Sequence, residues 1–365
     1  MRIIFDYQTF SIRQARGISR YFTELAVALG RLDHADVQVI VPLLASKLLV
    51  EQRDKVTVTG IDVSRISKLP TRIVHAANRA LFPLMAAAAK PDIVHETQYD
   101  KPQFTFRRAK TITTIHDMIP ERFPEHFHSR EAHRRRISCA LKRADLVICV
   151  SESTRRDLLE LYRPPAAQVW VVPLASSITP VTQKPQDEEE PYFLHVGARY
   201  SYKNFVALIA AFGISKLWNT HRLITFSEMR LTPKELEAID NANVPRERIR
   251  GVSGNDAKLA SYYAGATALV VPSLYEGFGI PVVEAMQCSC PVIASNTSSL
   301  PEVGGDAIRY FDPREPESIA DLMQRIASDS TVRENMIAQG LVQAAKFSWE
   351  KCAKETYTVY ENALG

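Results

Sequence analysis

The stretch SLYEGFGIPVVEAM, Ser273 to Met286, sets two carboxylates, Glu276 and Glu284, on either side of a glycine turn. Ionised carboxylates accept hydrogen bonds from sugar hydroxyls. A turn that opens a helix also offers unpaired backbone amides to phosphates. Pro281 suits the first helical position, which puts Glu284 in the first helical turn. Taken singly, Glu284 needs no function beyond capping that helix. A glycosidase-like pair of acid and nucleophile is another chemistry open to two carboxylates. The helix dipole and the free amides count against it, because they hold Glu284 ionised and so a poor proton donor. One extended ligand, a sugar nucleotide, explains the spacing: a hexose at Glu276, a ribose at Glu284, and phosphates on the amides between.

Three further places hold chemistry-bearing residues. In YFLHVGARYSYKNFVALIAAF an apolar run ends at Gly197, and Arg199 and Lys203 follow before a helix. Two cations between a strand end and a helix start suit a diphosphate, Arg as a planar fork and Lys as a compact charge. The bland alternative is a pair of solvated loop charges. In TITTIHDMIPERF, His116 and Asp117 come directly after a β-branched run, which aims His116 at a ligand; the alternative is an ordinary polar residue beside a capping aspartate. In QARGISRYFTEL, Gly17 starts a helix where a ligand could approach the backbone closely, though a glycine there is more often only a turn.

These residues need strand ends to stand on. Short apolar runs predict strands over Arg2–Phe5, Val37–Pro42, Asp92–His95, Thr111–His116, Leu146–Val150 and Val169–Val172, with a helix over Ile18–Leu32 between the first two. The block Pro173–Pro191 has four prolines and an acidic run, and reads as a linker. The rhythm then restarts: Tyr192–Val196, Lys203–Leu217, Leu223–Phe226, Ile249–Gly251, Asp256–Ala264, Ala268–Val271, Pro281–Met286 and Pro291–Ala294, with helical patterns after Glu315. Alternating strands and helices imply two α/β units, each a doubly wound parallel sheet of Rossmann type. Ligands in such sheets bind beyond the carboxyl ends of the strands, so the two units are expected to face one another across a cleft.

Bulk properties agree with this picture. The chain has 365 residues, 46% hydrophobic and 24% charged, enough for two domains. No apolar run nears the ~18 residues of a membrane span. Asp6 interrupts the segment where a signal peptide would stay apolar, so the expected location is cytoplasmic. The five cysteines lack a zinc-ligand layout and are expected to be reduced, with Cys288 and Cys290 as core filling. Net charge is +4, but residues 1–180 carry 27 Lys+Arg against 18 Asp+Glu. The blocks Arg107–Lys110 and His133–Arg143 could attract phosphates or anionic lipid, or could be solvated faces. No aromatic residues interleave with them, so nucleic acid is not expected.

EGFGIPVVE, together with GISRY, IHDMIPERFPEHF, VSESTRRDLL and SNTSSLPEVGGDA in matching order, resembles the family-four retaining glycosyltransferases of the GT-B fold. The resemblance covers nearly the whole chain. It implies Glu276 on the donor-sugar hydroxyls, Glu284 on the ribose, and Arg199 and Lys203 on the diphosphate. It further implies backbone contacts from Phe278, Gly279 and Ile280, Val252 near the base, Gly17 over the diphosphate, and His116 beside the donor sugar. The expected layout is an acceptor-binding domain over 1–175, a linker over 176–190, a sugar-nucleotide-binding domain over 191–348, and a helix over about 349–365 returning to the first. Departures are Arg16-Gly17 where two glycines are usual, Gln287–Cys290 for small-Cys-Gly, and Leu174-Ala175 for Asn-Gly. None removes a charged catalytic group.

The expected activity is transfer of a hexose, mannose or a deoxyhexose such as rhamnose, from a nucleoside-diphosphate donor with retention. GDP is favoured as the nucleotide and UDP is second, because the DYQTF…GISRYFTEL opening looks like mannosyl- and rhamnosyltransferases of surface-polysaccharide assembly. No metal or other cofactor is expected, there being no Asp-x-Asp pair. The expected acceptor is a lipid-linked or oligosaccharide hydroxyl, met at the membrane face. The alternatives are a UDP-sugar transferase, a related GT-B sugar phosphorylase or epimerase, and a non-catalytic nucleotide-sugar-binding subunit.

Overall fold

A computed structural model describes every residue except 13–16, 67–68, 100–105, 107 and 128. Arg16 and Arg107 therefore lie outside the described residues. The chain divides into two compact units, one of Met1–Leu174 with Ser348–Gly365 and one of Ala175–Phe347.

Unit one is built on seven strands: β1 (Arg2–Phe5), β2 (Asp36–Leu44), β3 (Thr57–Asp62), β4 (Ile93–Glu96), β5 (Lys110–Ile115), β6 (Leu146–Cys149) and β7 (Val169–Val171). All pair in parallel, in the order β3-β2-β1-β4-β5-β6-β7. A parallel sheet covered on both faces needs continuous apolar strands, and β1 supplies Ile3, Ile4 and Phe5, all buried. The helix Gly17–Leu29 buries Tyr21, Phe22, Leu25 and Leu29 at helical spacing. The last helix, Trp349–Leu364, packs on that helix and on β5 and β6. Its Tyr360 hydroxyl lies 2.6 Å from Nδ1 of the buried His95 in β4, whose Nε2 meets Thr114 at 2.8 Å.

Unit two has six strands: β8 (Tyr192–Val196), β9 (Arg222–Phe226), β10 (Ile249–Val252), β11 (Ala268–Val271), β12 (Val292–Ser295) and β13 (Arg309–Phe311). They too are parallel, in the order β10-β9-β8-β11-β12-β13. The helix Phe205–Ser215 turns Phe205, Leu208, Ile209 and Phe212 into a core shared with Phe193, Leu223, Val270 and Ile293. Chain order reverses between β8 and β11, which makes their carboxyl ends the switch point of this sheet.

The Pro173–Pro191 block, read from sequence as a linker, is not loose chain in this structure. From Ala175 onward it belongs to unit two, and its acidic run is pinned there by ion pairs. Glu188, whose side chain is 2% exposed, meets Arg222 at 3.5 Å and Arg250 at 3.3 Å. Glu190 pairs with Arg222 and Arg248, and Asp187 with Arg250. Two strands, β3 and β13, fall where no strand was expected; both are sheet edges. Among the described residues, no helix is long and apolar enough to cross a membrane.

Candidate active site

The turn after β11 carries the first glutamate. Ser273, three residues before Glu276, sends its hydroxyl to Glu276 Oε1 at 2.6 Å. The Ser298 hydroxyl accepts the Glu276 amide at 2.8 Å. The Ser299 hydroxyl lies 3.0 Å from the carbonyl of Glu276 and 2.9 Å from that of Phe278. Three serines thus fix one glutamate and the peptide units around it. The loop after β8 joins this frame where the Leu274 amide donates to the Tyr202 carbonyl at 2.8 Å. Lys203, the next residue, closes a single 3-10 turn and puts Nζ 2.7 and 2.8 Å from the two oxygens of Glu276. Side-chain exposures of 19% for Lys203 and 11% for Glu276 leave the pair at the edge of water.

Gly279 then adopts φ +99°, and a Cβ there would stand 2.9 Å from Leu300 Cδ2. Its left-handed conformation makes it the N-cap of the helix Ile280–Gln287. The amides of Gly279 and Ile280 have no hydrogen-bond partner among the described residues, which leaves them for an acceptor outside the chain. Because the cap is Gly279, Pro281 is the second helical residue and not the first. Glu284 is accordingly the fifth, outside the first turn where it was expected. It instead accepts from the Tyr263 hydroxyl at 2.9 Å. Burial, and then the Glu284 carboxylate, push that hydroxyl well above the usual tyrosine range, so it stays a donor.

Arg199, which the sequence reading placed on the diphosphate, turns its side chain inward in this structure. Its side chain is 0% exposed, and Nε donates to Glu235 Oε1 at 2.8 Å. One terminal nitrogen reaches the carbonyls of Met229 and Arg230 at 2.9 and 2.7 Å, and the other lies 3.4 Å from Thr225 Oγ1. The second oxygen of Glu235 closes a capping box with Thr232 at the start of the helix Pro233–Asn241. Arg199 therefore ties the loop after β8 to the loop after β9. Desolvation explains why its charge is spent inward: a buried guanidinium needs a carboxylate and carbonyls around it. Lys203 is the base that remains at the turn.

Val252 ends β10, on the far edge of the same sheet, with its carbonyl held by the Ser227 amide at 2.8 Å. In unit one, Gly17 is exposed at the start of its helix. His116 follows β5, its ring edge-on to Tyr21 and Phe22 at 5.1 and 5.8 Å between centroids. Its Nε2 is buried without a hydrogen-bond partner among the described residues. Burial lowers its pKa to about 4, so the ring is neutral at pH 7. Beneath the Lys203 loop the buried His195 is lowered to about 3, by burial first and then by Lys203 and Arg199.

Sequence reasoning missed Ser273, Ser298, Ser299, Tyr263 and Glu235. The Ser-x-x-Glu spacing of Ser273 and Glu276 was a usable signal, since that pattern marks reciprocal capping. The other four act across 21 to 36 positions and leave no local trace.

Comparison with known proteins matches these units. Residues 15–175 match "Glycosyltransferase Family 4" and residues 180–342 match "Glycosyl transferases group 1". O-antigen chain mannosyltransferase B of Escherichia coli is 32% identical over 303 residues, which is 78% of this chain and 79% of that protein. The chain belongs to the family-four glycosyltransferases.

This glycosyltransferase is also 31% identical to O-antigen chain mannosyltransferase RfbU of Salmonella typhimurium, over 60% of the chain and 61% of that protein. It is 28% identical to the serotype-specific mannosyltransferase WbdA of Escherichia coli over 67% of the chain but only 32% of that longer protein. Among solved structures, sucrose-phosphate synthase from Thermosynechococcus elongatus superposes with a TM-score of 0.77 at 19% identity, covering 99% of this chain and 98% of the other. HepE of Anabaena, solved with UDP-glucose, gives 0.74 at 15% identity, covering 99% and 100%. The fold is GT-B, and the enzyme is a hexosyltransferase.

Proposed function

We propose that this enzyme moves a hexose, mannose in preference to a deoxyhexose, from a GDP-linked donor to a hydroxyl of a lipid-linked surface-polysaccharide intermediate. Retention of anomeric configuration and independence of divalent metal are part of the proposal. The observation that carries it is the Lys203–Glu276 pair, held within 2.8 Å at the switch point of the second sheet and beside the open amides of Gly279 and Ile280. The names of the mannosyltransferase relatives support mannose and polysaccharide. The UDP-glucose in the HepE structure supports a nucleotide sugar as donor class.

Unliganded, the turn is neutral, because Lys203 and Glu276 cancel. An arriving diphosphate competes with Glu276 for Lys203. The exchange frees the Glu276 carboxylate, still held by Ser273, to accept hydroxyls of the hexose. Glu284 takes the ribose hydroxyls, with Tyr263 fixing one of its oxygens, and Val252 lies toward the base. In the transfer, the bond from C1 of the sugar to the phosphate oxygen breaks and the electron pair leaves with the nucleoside diphosphate. A bond forms from C1 to the acceptor oxygen, and the acceptor proton passes to a phosphate oxygen. Lys203 and the amides of Phe278, Gly279 and Ile280 meet the charge as it grows, and each such donor contributes roughly 2.7–4 kcal/mol in comparable sites. Arg199 supports Lys203 by fixing its loop. In unit one, the neutral His116 is a hydrogen-bonding group open to substrate, and Gly17 a helix start open to a ligand. The basic first unit is the face that meets the membrane, by an attraction that salt weakens.

Melting the full chain with GDP, UDP and ADP and following transfer from GDP-mannose tests the proposal. A nucleotide at ~100 times its dissociation constant stabilises by roughly 2.7 kcal/mol. GDP is expected to raise the transition most and GDP-mannose to yield a new glycosidic bond. A larger response to UDP would move the donor to a UDP-sugar, and no response to any nucleotide would defeat the reading.

A further inference from the structure

The run SNTSS, Ser295 to Ser299, joins β12 to the short helix Leu300–Gly304 and carries four hydroxyls in five residues. Each hydroxyl meets the neighbouring turn after β11. Ser295 Oγ donates to the Val271 carbonyl at 3.2 Å, and Thr297 Oγ1 to the Ser273 carbonyl at 3.3 Å. Ser299 Oγ lies within 3.0 Å of the carbonyls of Glu276 and Phe278. Ser298 has the opposite role, since its Oγ accepts the Glu276 amide at 2.8 Å. Glu276 is thereby held at two points: Ser273 fixes its carboxylate at 2.6 Å, and Ser298 fixes its backbone.

The backbone at Ser298 disfavours serine. Its φ is +52°, in the left-handed region where a Cβ crowds the chain. Among the described residues, seven residues other than glycine have such a φ. Six of them close a helical turn, where a left-handed residue is routine: Lys90, Arg163, Asn204, Lys216, Asn243 and Ser289. Ser298 closes none, because β12 ends at Ser295 and the next helix begins at Leu300. It is instead the first central residue of a turn in which the Leu300 amide donates to the Thr297 carbonyl at 3.3 Å. Ser299, the second central residue, has φ −83°. A turn with that order of signs takes glycine first without steric strain. What serine adds over glycine there is one hydroxyl, and that hydroxyl holds Glu276. Backbone strain of this kind persists where the surroundings over-determine it, and it collects at functional sites.

We propose that Ser298 is a positioning residue for hexose transfer: its hydroxyl, presented by a left-handed backbone, sets the Glu276 main chain so that the carboxylate meets the sugar. The role of Glu276 rests on the proposed function; the bond from its amide does not. Ser298→Gly and Ser298→Ala in the full chain test the proposal. Both lose the hydroxyl, and only alanine keeps the strain, so the glycine variant is expected to melt above the alanine variant. Both are expected to lose at least about tenfold in kcat with GDP-mannose, assayed well below melting, because a small displacement of a sugar-gripping group is felt in the transition state. GDP affinity should stay within about threefold of wild type, since Lys203 and the amides of Gly279 and Ile280 are untouched. Hydrogen exchange of the Glu276 amide is expected to quicken in both variants and reads the bond without turnover. A glycine variant with kcat within threefold of wild type, or Glu276 exchange unchanged, would overturn the proposal. An equal loss of GDP affinity and kcat would also overturn it, making Ser298 part of the phosphate site's scaffold. Failure of the donor reading looks different: wild type itself would transfer nothing from GDP-mannose, and exchange at Glu276 would still decide whether Ser298 holds that residue.

Discussion

Replacing Lys203 by methionine probes the pair at the centre of the candidate site. The ammonium contacts both oxygens of Glu276, at 2.7 and 2.8 Å. Without it the carboxylate keeps the Ser273 hydroxyl and a fringe of water, since 11% of its side chain is exposed. Removing one partner of a fully buried pair costs about 3–5 kcal/mol. The fringe and the serine bring this to about 2 kcal/mol, between that range and the ~1 kcal/mol of exposed pairs. For a unit of this size that lowers the melting midpoint by about 4–8 °C. Glu276→Gln added to Lys203→Met removes the stranded charge and is expected to recover most of the loss. Transfer behaves differently: both variants stay about 10²–10³-fold slower in kcat, because the phosphate contact is gone in each. Calorimetric melting and initial-rate transfer on the same preparations read the two effects separately. A midpoint unmoved by Lys203→Met, or a double variant as unstable as the single, would refute the pairing; turnover within threefold of wild type would refute its role.

Three other outcomes follow from the same geometry. Acid should destabilise the protein between pH 6.5 and 5: His95, His116 and His195 titrate at about 3, 4 and 3 when folded but near 6.5 when unfolded. Each contributes stability that is present above pH 6.5 and lost as pH falls towards those values, by up to about 1.4 kcal/mol per pH unit. Burial also raises Glu96, to about 7, and Asp6, and these two act oppositely to the three imidazoles; a melting midpoint that rises on acidification would contradict the burial assigned to the imidazoles. Gly279→Ala forces a side chain onto φ +99° and against Leu300, costing about 1–3 kcal/mol, and is expected to weaken GDP binding; unchanged affinity by titration would remove the turn from the phosphate site. Exhaustive chelation with EDTA is expected to leave transfer from GDP-mannose at its untreated rate, and activity restored only by added Mg²⁺ or Mn²⁺ would refute metal independence.

Much of the fold was readable because its signals are local. Tyr192–Val196 and Ala268–Val271 are short apolar runs that can only be buried strands, and the structure has β8 and β11 over those spans. β3 escaped because Thr57–Asp62 is an edge strand with half-exposed residues and an internal glycine, so no apolar run marks it. Glu284 was misplaced by one helical position because the glycine cap, not the proline, decides where the helix begins. Arg199 and the acidic run share a deeper reason. Their partners lie tens of residues away, Glu235 for the one and Arg222, Arg248 and Arg250 for the other. From sequence a loop arginine and a stretch of glutamates look solvated; only the fold shows that each charge is spent inside unit two. Lys203 and Glu276 are separated just as widely in the chain, yet both stand at strand ends of one switch point, and that rule was enough to assign them to one ligand, though not to foresee their direct ion pair.

The most direct measurement is the response of Glu276→Gln to two ligands on one sample, GDP and GDP-mannose, followed by turnover. With Glu276 gripping the hexose hydroxyls, GDP affinity should hold or rise, because the diphosphate no longer competes with a carboxylate for Lys203, while turnover of GDP-mannose falls at least about 10²-fold. Wild-type turnover in that variant, or an equal loss of GDP affinity, would mean that the carboxylate does not hold the sugar.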